Sequence, residues 1–257
     1  MTAQENVPPS PIGSRAPNCA SDMAHHTLPS YPGKELEAMS HAVNYHQWIV
    51  DEFEPYLGES LAEVGAGMGS VSKMLLAKGL KRLYAFEPSR NMYPFLEQEL
   101  KGEERAVAIN DFFGPRYADI GLDAVVYINV LEHIEDDRAE LISALDALKP
   151  NGHALLFVPA QAWLYSKLDK QLGHYRRYTA KGLSNLVREV GLSIVKVRYF
   201  DFVGMIPWYI NYVLLQNTLG NNSVSLYDKL AVPTMRRLER LVPPPIGKNV
   251  LLIGKKA

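Results

Sequence analysis

The sequence predicts an α/β fold in which a mostly parallel, seven-stranded sheet is flanked by helices. Short apolar runs alternate with amphipathic stretches, which is the pattern of a parallel sheet with helices on both faces. The first apolar run leads into a glycine-rich turn, and the second ends on Glu87, an arrangement typical of sheets that bind a nucleotide-like ligand. The predicted strands span 60–64, 82–86, 106–109, 124–128, 154–158, 193–200 and 249–253.

Apolar residues at helical spacing predict helices between these strands. A leading helix runs from Lys34 to Phe53, where Pro55 and Gly58 end it. The other predicted helices span 70–78, 91–100, 137–148 and 180–190. After the third of these, the sequence Lys-Pro-Asn-Gly at 149–152 predicts a turn into the next strand.

The remaining segments set the predicted domain organisation. Residues 1–32 are rich in proline and small polar residues, which predicts a flexible tail. Residues 33–257 then form one domain, with a long insertion over 201–247 before the last strand. The aromatic stretch 202–215 in this insertion is interpreted as a lid, as part of the core or as a membrane-surface segment.

Composition excludes several classes of partner. The chain is 47% hydrophobic and 21% charged with a net charge of -1, which gives no sign of a nucleic-acid partner. Cys19 is the only cysteine, so an internal disulfide and a cysteine-based metal cluster are excluded. We find no secretory signal and no transmembrane segment, because the longest apolar stretch, 203–215, is too short. A soluble cytoplasmic protein is expected, and a homodimer is compatible with the sequence.

The glycine-rich turn has a functional and a structural interpretation. Gly65, Gly67 and Gly69 lie between the first strand and a helix, where side chains would block the approach of a cofactor. Glu87 can accept hydrogen bonds from two ribose hydroxyls. These features also fit a nicotinamide-dependent oxidoreductase, although Ser70 stands at the third glycine position of its Gly-x-Gly-x-x-Gly motif. A purely structural turn is the other alternative.

Five ordered motifs favour methyl transfer. They are Glu63-x-Gly65-x-Gly67-x-Gly69, Phe86-Glu87-Pro88-Ser89, Ile109-Asn110-Asp111, Tyr127 to Ile134, and Leu148 to His153. Together they closely resemble class I S-adenosylmethionine-dependent methyltransferases of the small-molecule type, which have a Rossmann-like fold. The resemblance implies S-adenosyl-L-methionine as cofactor and a small-molecule acceptor. An oxidoreductase, or a protein that binds the cofactor without transferring methyl, is the alternative.

The resemblance also implies roles for individual residues. It places Glu63, Gly65, Ala66, Gly67 and Gly69 at the methionine part of the cofactor, Glu87 and Pro88 at the ribose, Asp111 and Phe112 at the adenine, and Asn129 and Val130 along the methionine chain and sulfonium. For Asp111, capping of a local turn is the alternative.

Candidate catalytic residues follow from proton chemistry. His133 lies after the fourth strand and is the first candidate for a general base, with His174 and Tyr178 as further candidates. Local packing is the alternative for His133. Asn129, Glu132 and His133 are similar to the Glu-x-x-Glu-His metal motif of some family members. Because Asn129 replaces the first carboxylate, we predict no metal site, and His174 is the only obvious distant ligand.

A polar segment after the fifth strand is the predicted acceptor pocket. Arg176 and Arg177 can bind a carboxylate or phosphate, and Tyr175 can line an apolar slot or form a hydrogen bond. Tyr45 from the leading helix and Trp208 from the insertion complete the predicted pocket. In the alternative, the arginines pair with acids such as Asp169 or brace the following helix, and Tyr45 packs in the core.

Overall fold

The computed structural model describes residues 42–217 and 221–257. Its sheet has the strand order β3-β2-β1-β4-β5-β7-β6, and all neighbours are parallel except β7, which runs antiparallel to β5 and β6. The predicted fold class is therefore confirmed. The strands are β1 (Ser60–Val64), β2 (Arg82–Phe86), β3 (Ala106–Ile109), β4 (Leu122–Ile128), β5 (Leu148–Pro159), β6 (Ser193–Phe200) and β7 (Asn249–Lys255).

Helices cover both faces of this sheet. They are α1 (Val43–Phe53), α2 (Ser70–Leu76), α3 (Tyr93–Glu99), α4 (Asp137–Ala147), α5 (Lys167–Gln171), α6 (Ala180–Glu189), α7 (Met205–Trp208), α8 (Asn221–Leu230) and α9 (Val232–Leu241). A π-helical turn, Tyr209–Leu214, continues α7. The predicted helices therefore exist, and their ends differ from the predicted ones by a few residues.

Two predictions lie wholly or partly outside the described residues. One is the tail 1–32, and the other is the first part of the leading helix, 34–41.

The predicted turn at 149–152 lies inside the long strand β5, as a bulge. Leu148 pairs with Leu122 of β4 and His153 pairs with Ala124, so residues 149–152 are extra on the β5 side. Asn151 in this bulge has a positive φ angle of 65°. The chain therefore turns at the predicted place, although strand pairing continues on either side of the bulge.

The core has one layer on each face of the sheet. On one face, Trp48 and Phe53 of α1 pack with Phe157 and Phe200 of the sheet. On the other face, Tyr127 packs among apolar residues of α4 and α6. Alternation along each strand produces both layers, since successive side chains point to opposite faces.

The insertion after β6 packs against α1. The buried carboxylate of Asp228 in α8 accepts hydrogen bonds from the N–H groups of Asn44 at 3.0 Å and Tyr45 at 2.8 Å, in the first turn of α1. Arg236 of α9 pairs with Asp51 of α1. Because α1 has no N-cap side chain of its own, the insertion caps it from a distance. Within the described residues, no helix is long and apolar enough to span a bilayer.

The cap of α1 gives a stability prediction. Asp228→Ala leaves two helix N–H groups without a charged acceptor, so we expect a loss of about 3 kcal/mol in the free energy of unfolding. Asp136→Ala is the matched control, since Asp136 is an exposed N-cap that accepts one N–H, from Ala139, and its loss costs about 1 kcal/mol. Urea denaturation measures both, and equal losses would contradict the distant cap.

Candidate functional site

A cleft lies at the carboxyl edge of the sheet, around the turn between β1 and α2. Gly65, Gly67 and Gly69 all have positive φ angles, between 57° and 88°, which favour glycine. A Cβ atom added to Gly65 would lie 2.5 Å from a methyl carbon of Val130. The glycine at this position therefore lets the turn after β1 approach the segment after β4. We name this the glycine-loop cleft; it is lined by His46, residues 63–68, Ser70, Val71, Ile128 and Asn129.

Glu87 holds the turn from the neighbouring strand. Its buried carboxylate accepts hydrogen bonds from the N–H of Gly67 at 2.7 Å and from the N–H of Ser89 at 2.8 Å. Burial raises the pKa of Glu87, and these two bonds partly offset the rise. A carboxylate can accept about four hydrogen bonds, so the Glu87 carboxylate can still accept bonds from hydroxyl donors.

Glu63 is a second buried acid at this cleft. It accepts a hydrogen bond from the hydroxyl of Ser72 at 2.5 Å. Burial raises its pKa to about 8, a rise that the Ser72 bond reduces and the nearby Glu87 increases. Glu63 is thus positioned to ionise when a positively charged group enters the cleft.

The loops after β2 and β3 are tied together beside this turn. The side-chain amide of Asn110 donates to the carbonyl oxygen of Glu87 at 2.8 Å. Asp111 accepts from the Tyr117 hydroxyl at 2.8 Å and pairs with Arg116. Phe112 is half exposed. Glu87, Pro88, Asp111 and Phe112 therefore follow adjacent strands, but they do not line the glycine-loop cleft itself.

Asn129 links the cleft to the last strand. It has a positive φ angle of 52°, which is uncommon outside glycine. Its side-chain oxygen accepts from the amide of Asn249 at 3.4 Å, and the Asn249 oxygen accepts from the Tyr45 hydroxyl at 3.0 Å. This chain of hydrogen bonds leads from the cleft to a second cavity.

The second cavity lies between α1, the insertion and the start of β7. We call it the aromatic cavity; it is lined by Ala42, Tyr45, Gly204, Pro207, Trp208, Asn211, Tyr212, Val224, Tyr227, Asp228 and Lys248. The Lys248 ammonium lies 5.0 to 5.8 Å from the ring centres of Tyr45, Trp208 and Tyr227. It also pairs with the buried carboxylate of Asp201 at 2.7 Å. The cavity lining is therefore largely apolar, with the Lys248 ammonium and the Asp228 carboxylate as its charged groups.

The stretch 203–215 has one face on this cavity and another in solvent. Trp208 donates its indole N–H to the carbonyl of Leu164 at 3.1 Å. Ile206, Ile210 and Leu214, spaced four residues apart, are 46 to 59% exposed. The stretch is therefore not a fully buried core segment.

The predicted acceptor segment after α5 is mostly engaged within the protein. Arg177 is 1% exposed and donates to both carboxylate oxygens of Asp169, at 2.8 and 3.1 Å. Burial opposes ionisation of Asp169, but hydrogen bonds from His174 and the charge of Arg177 lower its pKa to about 2. Arg177 is therefore engaged in the buried ion pair with Asp169 that the sequence offers as the alternative, and acceptor binding by Arg177 stays a prediction.

The other residues of this segment differ in exposure. Arg176 pairs with Asp137 at 2.7 Å and donates to the carbonyl of Glu135. The buried Tyr178 donates its O–H to Asp137 at 2.8 Å, and burial together with Asp137 raises its pKa. A protonated hydroxyl that is already donated does not support the predicted catalytic role of Tyr178. Tyr175 is 54% exposed and stays a candidate for acceptor contact.

Three ionisable groups lie close together beside this segment. The rings of His133 and His174 are 4.5 Å apart at 85°, and Glu132 precedes His133. Burial lowers the pKa of His133 to about 4 and raises that of Glu132 to about 8. His133 is therefore neutral at physiological pH, which is the form that a general base requires. General-base catalysis by this residue stays a prediction.

Sequence reasoning missed two residues of these cavities. Lys248 lines the aromatic cavity, and Asn249 joins this cavity to the glycine-loop cleft. Their position at the start of β7, next to β5, is a signal that could have found both. His46, which follows Tyr45 on α1, lines the glycine-loop cleft, and its place there depends on how that helix packs.

Comparison with known proteins identifies the family. A family model described as a methyltransferase domain matches residues 25–197. The chain belongs to this methyltransferase family. No curated protein sequence matches the methyltransferase.

Solved structures share the fold of the methyltransferase. An S-adenosylmethionine-dependent methyltransferase from Archaeoglobus fulgidus is 16% identical with a TM-score of 0.54, over 83% of this chain and 94% of that chain. A protein from Thermotoga maritima, described as a possible histamine N-methyltransferase, is 15% identical with a TM-score of 0.57, over 87% and 94%. Phosphoethanolamine N-methyltransferase 2 from Haemonchus contortus is 18% identical with a TM-score of 0.54, over 83% and 52%.

Family and fold together confirm the class predicted from the sequence. The chain is an S-adenosylmethionine-dependent methyltransferase of class I, and the family match gives no support to the oxidoreductase alternative. The predicted cytoplasmic location, the homodimer and the individual site roles stay predictions.

The buried Glu63 of the methyltransferase gives a pH prediction. With a pKa near 8 in the folded state, Glu63 binds a proton more tightly there than in the unfolded chain. Its contribution to stability is present below the unfolded pKa of about 4.5 and is lost as the pH rises to about 8.

We therefore expect the free energy of unfolding of the wild type to fall more steeply between pH 5 and 8 than that of Glu63→Gln. Urea denaturation at several pH values, without added cofactor, measures the difference, and Glu135→Gln at an exposed glutamate is the control. Parallel curves for wild type and Glu63→Gln would contradict the prediction.

Proposed function

We propose that the enzyme transfers a methyl group from S-adenosylmethionine, held in the glycine-loop cleft, to a small molecule held in the aromatic cavity. The observation that carries the proposal is the adjacency of the two cavities. Tyr45, Asn249 and Asn129 form a hydrogen-bonded chain from one to the other. Donor and acceptor sites that share a wall can hold the two reactants next to each other, which is the main requirement for methyl transfer.

The chemistry of the glycine-loop cleft fits the cofactor. Gly65 and Gly67 bring main-chain atoms into the lining of the cleft, and Glu87 follows the next strand, where a ribose is expected. Glu63 lines the cleft and, once ionised, complements a positive amino group. When bound, S-adenosylmethionine supplies an activated methyl group on a positively charged sulfur.

The residues of the chain then orient the two ligands. Gly65 and Val130 bring the turn after β1 against the segment after β4, which fixes the width of the cleft. Asn129 is held on its other side by a hydrogen bond from its N–H to the carbonyl of Phe157 at 2.8 Å. With both sides fixed, the cleft is formed before any ligand enters.

The aromatic cavity supports a small acceptor with an apolar body and an oxygen. Trp208, Tyr212 and Pro207 provide apolar surface. An ammonium has three N–H donors, and the Lys248 side chain is 20% exposed while it pairs with Asp201. A donor therefore remains for a hydroxyl, carboxylate or phosphate oxygen of the acceptor, and such a bond sets which atom faces the cleft.

Removal of the Glu87 carboxylate tests the cofactor site. Glu87→Ala loses charge-assisted hydrogen bonds to the ribose, so we expect the dissociation constant for S-adenosylmethionine to rise about 10- to 100-fold. Titration calorimetry measures it, with Glu97→Ala at an exposed glutamate of α3 as control. Because Glu87 also supports the turn, Glu87→Gln and circular dichroism separate binding from folding. An unchanged constant in both variants would refute the assignment.

Removal of the Lys248 charge tests the acceptor site. Release of S-adenosylhomocysteine is measured with panels of phenols, aromatic carboxylates and aliphatic amines. For the oxygen-bearing substrates, Lys248→Met should lower kcat/KM about 10-fold or more, while cofactor affinity changes by less than about 2-fold. Lys229→Met, on the exposed face of α8, is the control. Turnover of amines alone, unaffected by Lys248→Met, would rule out this acceptor class.

A further inference from the structure

Three side chains with metal-ligating atoms meet outside both cavities. Glu132 and His133 lie in the 3-10 turn Leu131–His133 after β4, and His174 follows α5. One ligand atom of each lies within 4.8 Å of the other two. None of the three lines the glycine-loop cleft or the aromatic cavity.

The carboxylate of Glu132 has no partner on another residue. The side chain is 0% exposed, and both of its oxygens lack hydrogen bonds from neighbouring groups. Its main chain is fixed, because the N–H of Tyr175 donates to the Glu132 carbonyl at 2.8 Å. The nearby guanidinium of Arg177 is already bound to Asp169 and to the carbonyl of Ala160. A buried acid of this kind is costly unless a cation or a proton neutralises it.

Both imidazoles are held by one ring nitrogen. His174 Nδ1 lies 2.9 Å from a carboxylate oxygen of Asp169, and His133 hydrogen-bonds the main chain of Leu172. In proteins, histidine ligands of metals commonly donate one N–H to a carboxylate or carbonyl and use the other nitrogen for the metal. Asp169 is itself fixed by Arg177, so the orientation of His174 is set by a buried ion pair.

We infer that Glu132, His133 and His174 form a binding site for a divalent first-row transition metal of the Zn²⁺ type. Two imidazole nitrogens and one carboxylate suit Zn²⁺ and Co²⁺, whereas Mg²⁺ and Ca²⁺ prefer oxygen ligands throughout. The sequence predicts no metal because Asn129 lacks a carboxylate, but His174 supplies the third ligand from a distant loop. The site joins the segment after β4 to the loop after α5, independently of the proposed methyl transfer.

The test is metal binding by the full chain without cofactor. Protein purified without a histidine tag and stripped with a chelator is titrated with Zn²⁺ by calorimetry and with Co²⁺ by visible absorption. We expect one equivalent per chain and a higher melting temperature with Zn²⁺. Glu132→Gln and His174→Ala should each weaken Zn²⁺ binding at least about 100-fold, since each removes one of three ligands.

Matched controls separate this site from others. Glu135→Gln, His153→Ala and the double variant His25→Ala/His26→Ala should bind Zn²⁺ as the wild type does. His133→Ala serves as a further ligand variant if Glu132→Gln does not fold. The inference is overturned if no stoichiometric Zn²⁺ or Co²⁺ binding is found, if Mg²⁺ alone binds, if the ligand variants bind normally, or if replacing His25 and His26 abolishes binding.

Discussion

Parallel pairing of β1 with both of its neighbours is the interaction on which the site depends. Val64, the last residue of β1, pairs with Phe86 of β2 on one side and with Tyr127 of β4 on the other. Gly65 and Glu87 therefore leave the sheet at the same edge. The hydrogen bond from the Gly67 N–H to Glu87 can form only because this register aligns the strand ends.

Buried charge organises the region around this edge. Asp169 binds the side chains of His174 and Arg177. Asp201 pairs with Lys248 and accepts a hydrogen bond from the Tyr227 hydroxyl. Asp228 accepts hydrogen bonds from N–H groups in the first turn of α1. A buried carboxylate is tolerated when such partners surround it, and removal of a partner is costly. Asp201 and Asp228 each bind a segment that is remote in sequence, whereas Asp169 binds side chains five and eight residues away. The insertion and the loop after α5 are thereby held at defined positions beside the cleft.

A different buried acid shapes each of the two proposed sites. The aromatic cavity arises because Asp228 docks the insertion onto α1, which places Trp208 and Tyr227 around Lys248. The cluster of Glu132, His133 and His174 arises because the Asp169–Arg177 pair turns the loop after α5 toward the end of β4. In the part of the chain that the structure describes, buried polar contacts thus position the residues of both proposed sites.

The sequence by itself determined the strands, the glycine turn and the family, because each is written in residues close together in the chain. Alternation and glycine spacing are local, so β1, β2, β3 and β6 match their predicted bounds. Only the tertiary structure decided the partners of Arg177 and Tyr178, the position of Lys248 and the environment of Glu132. These depend on contacts between distant residues, such as Tyr45 with Asp228, 183 positions apart. Local spacing carries no information on which buried acid such a donor will meet.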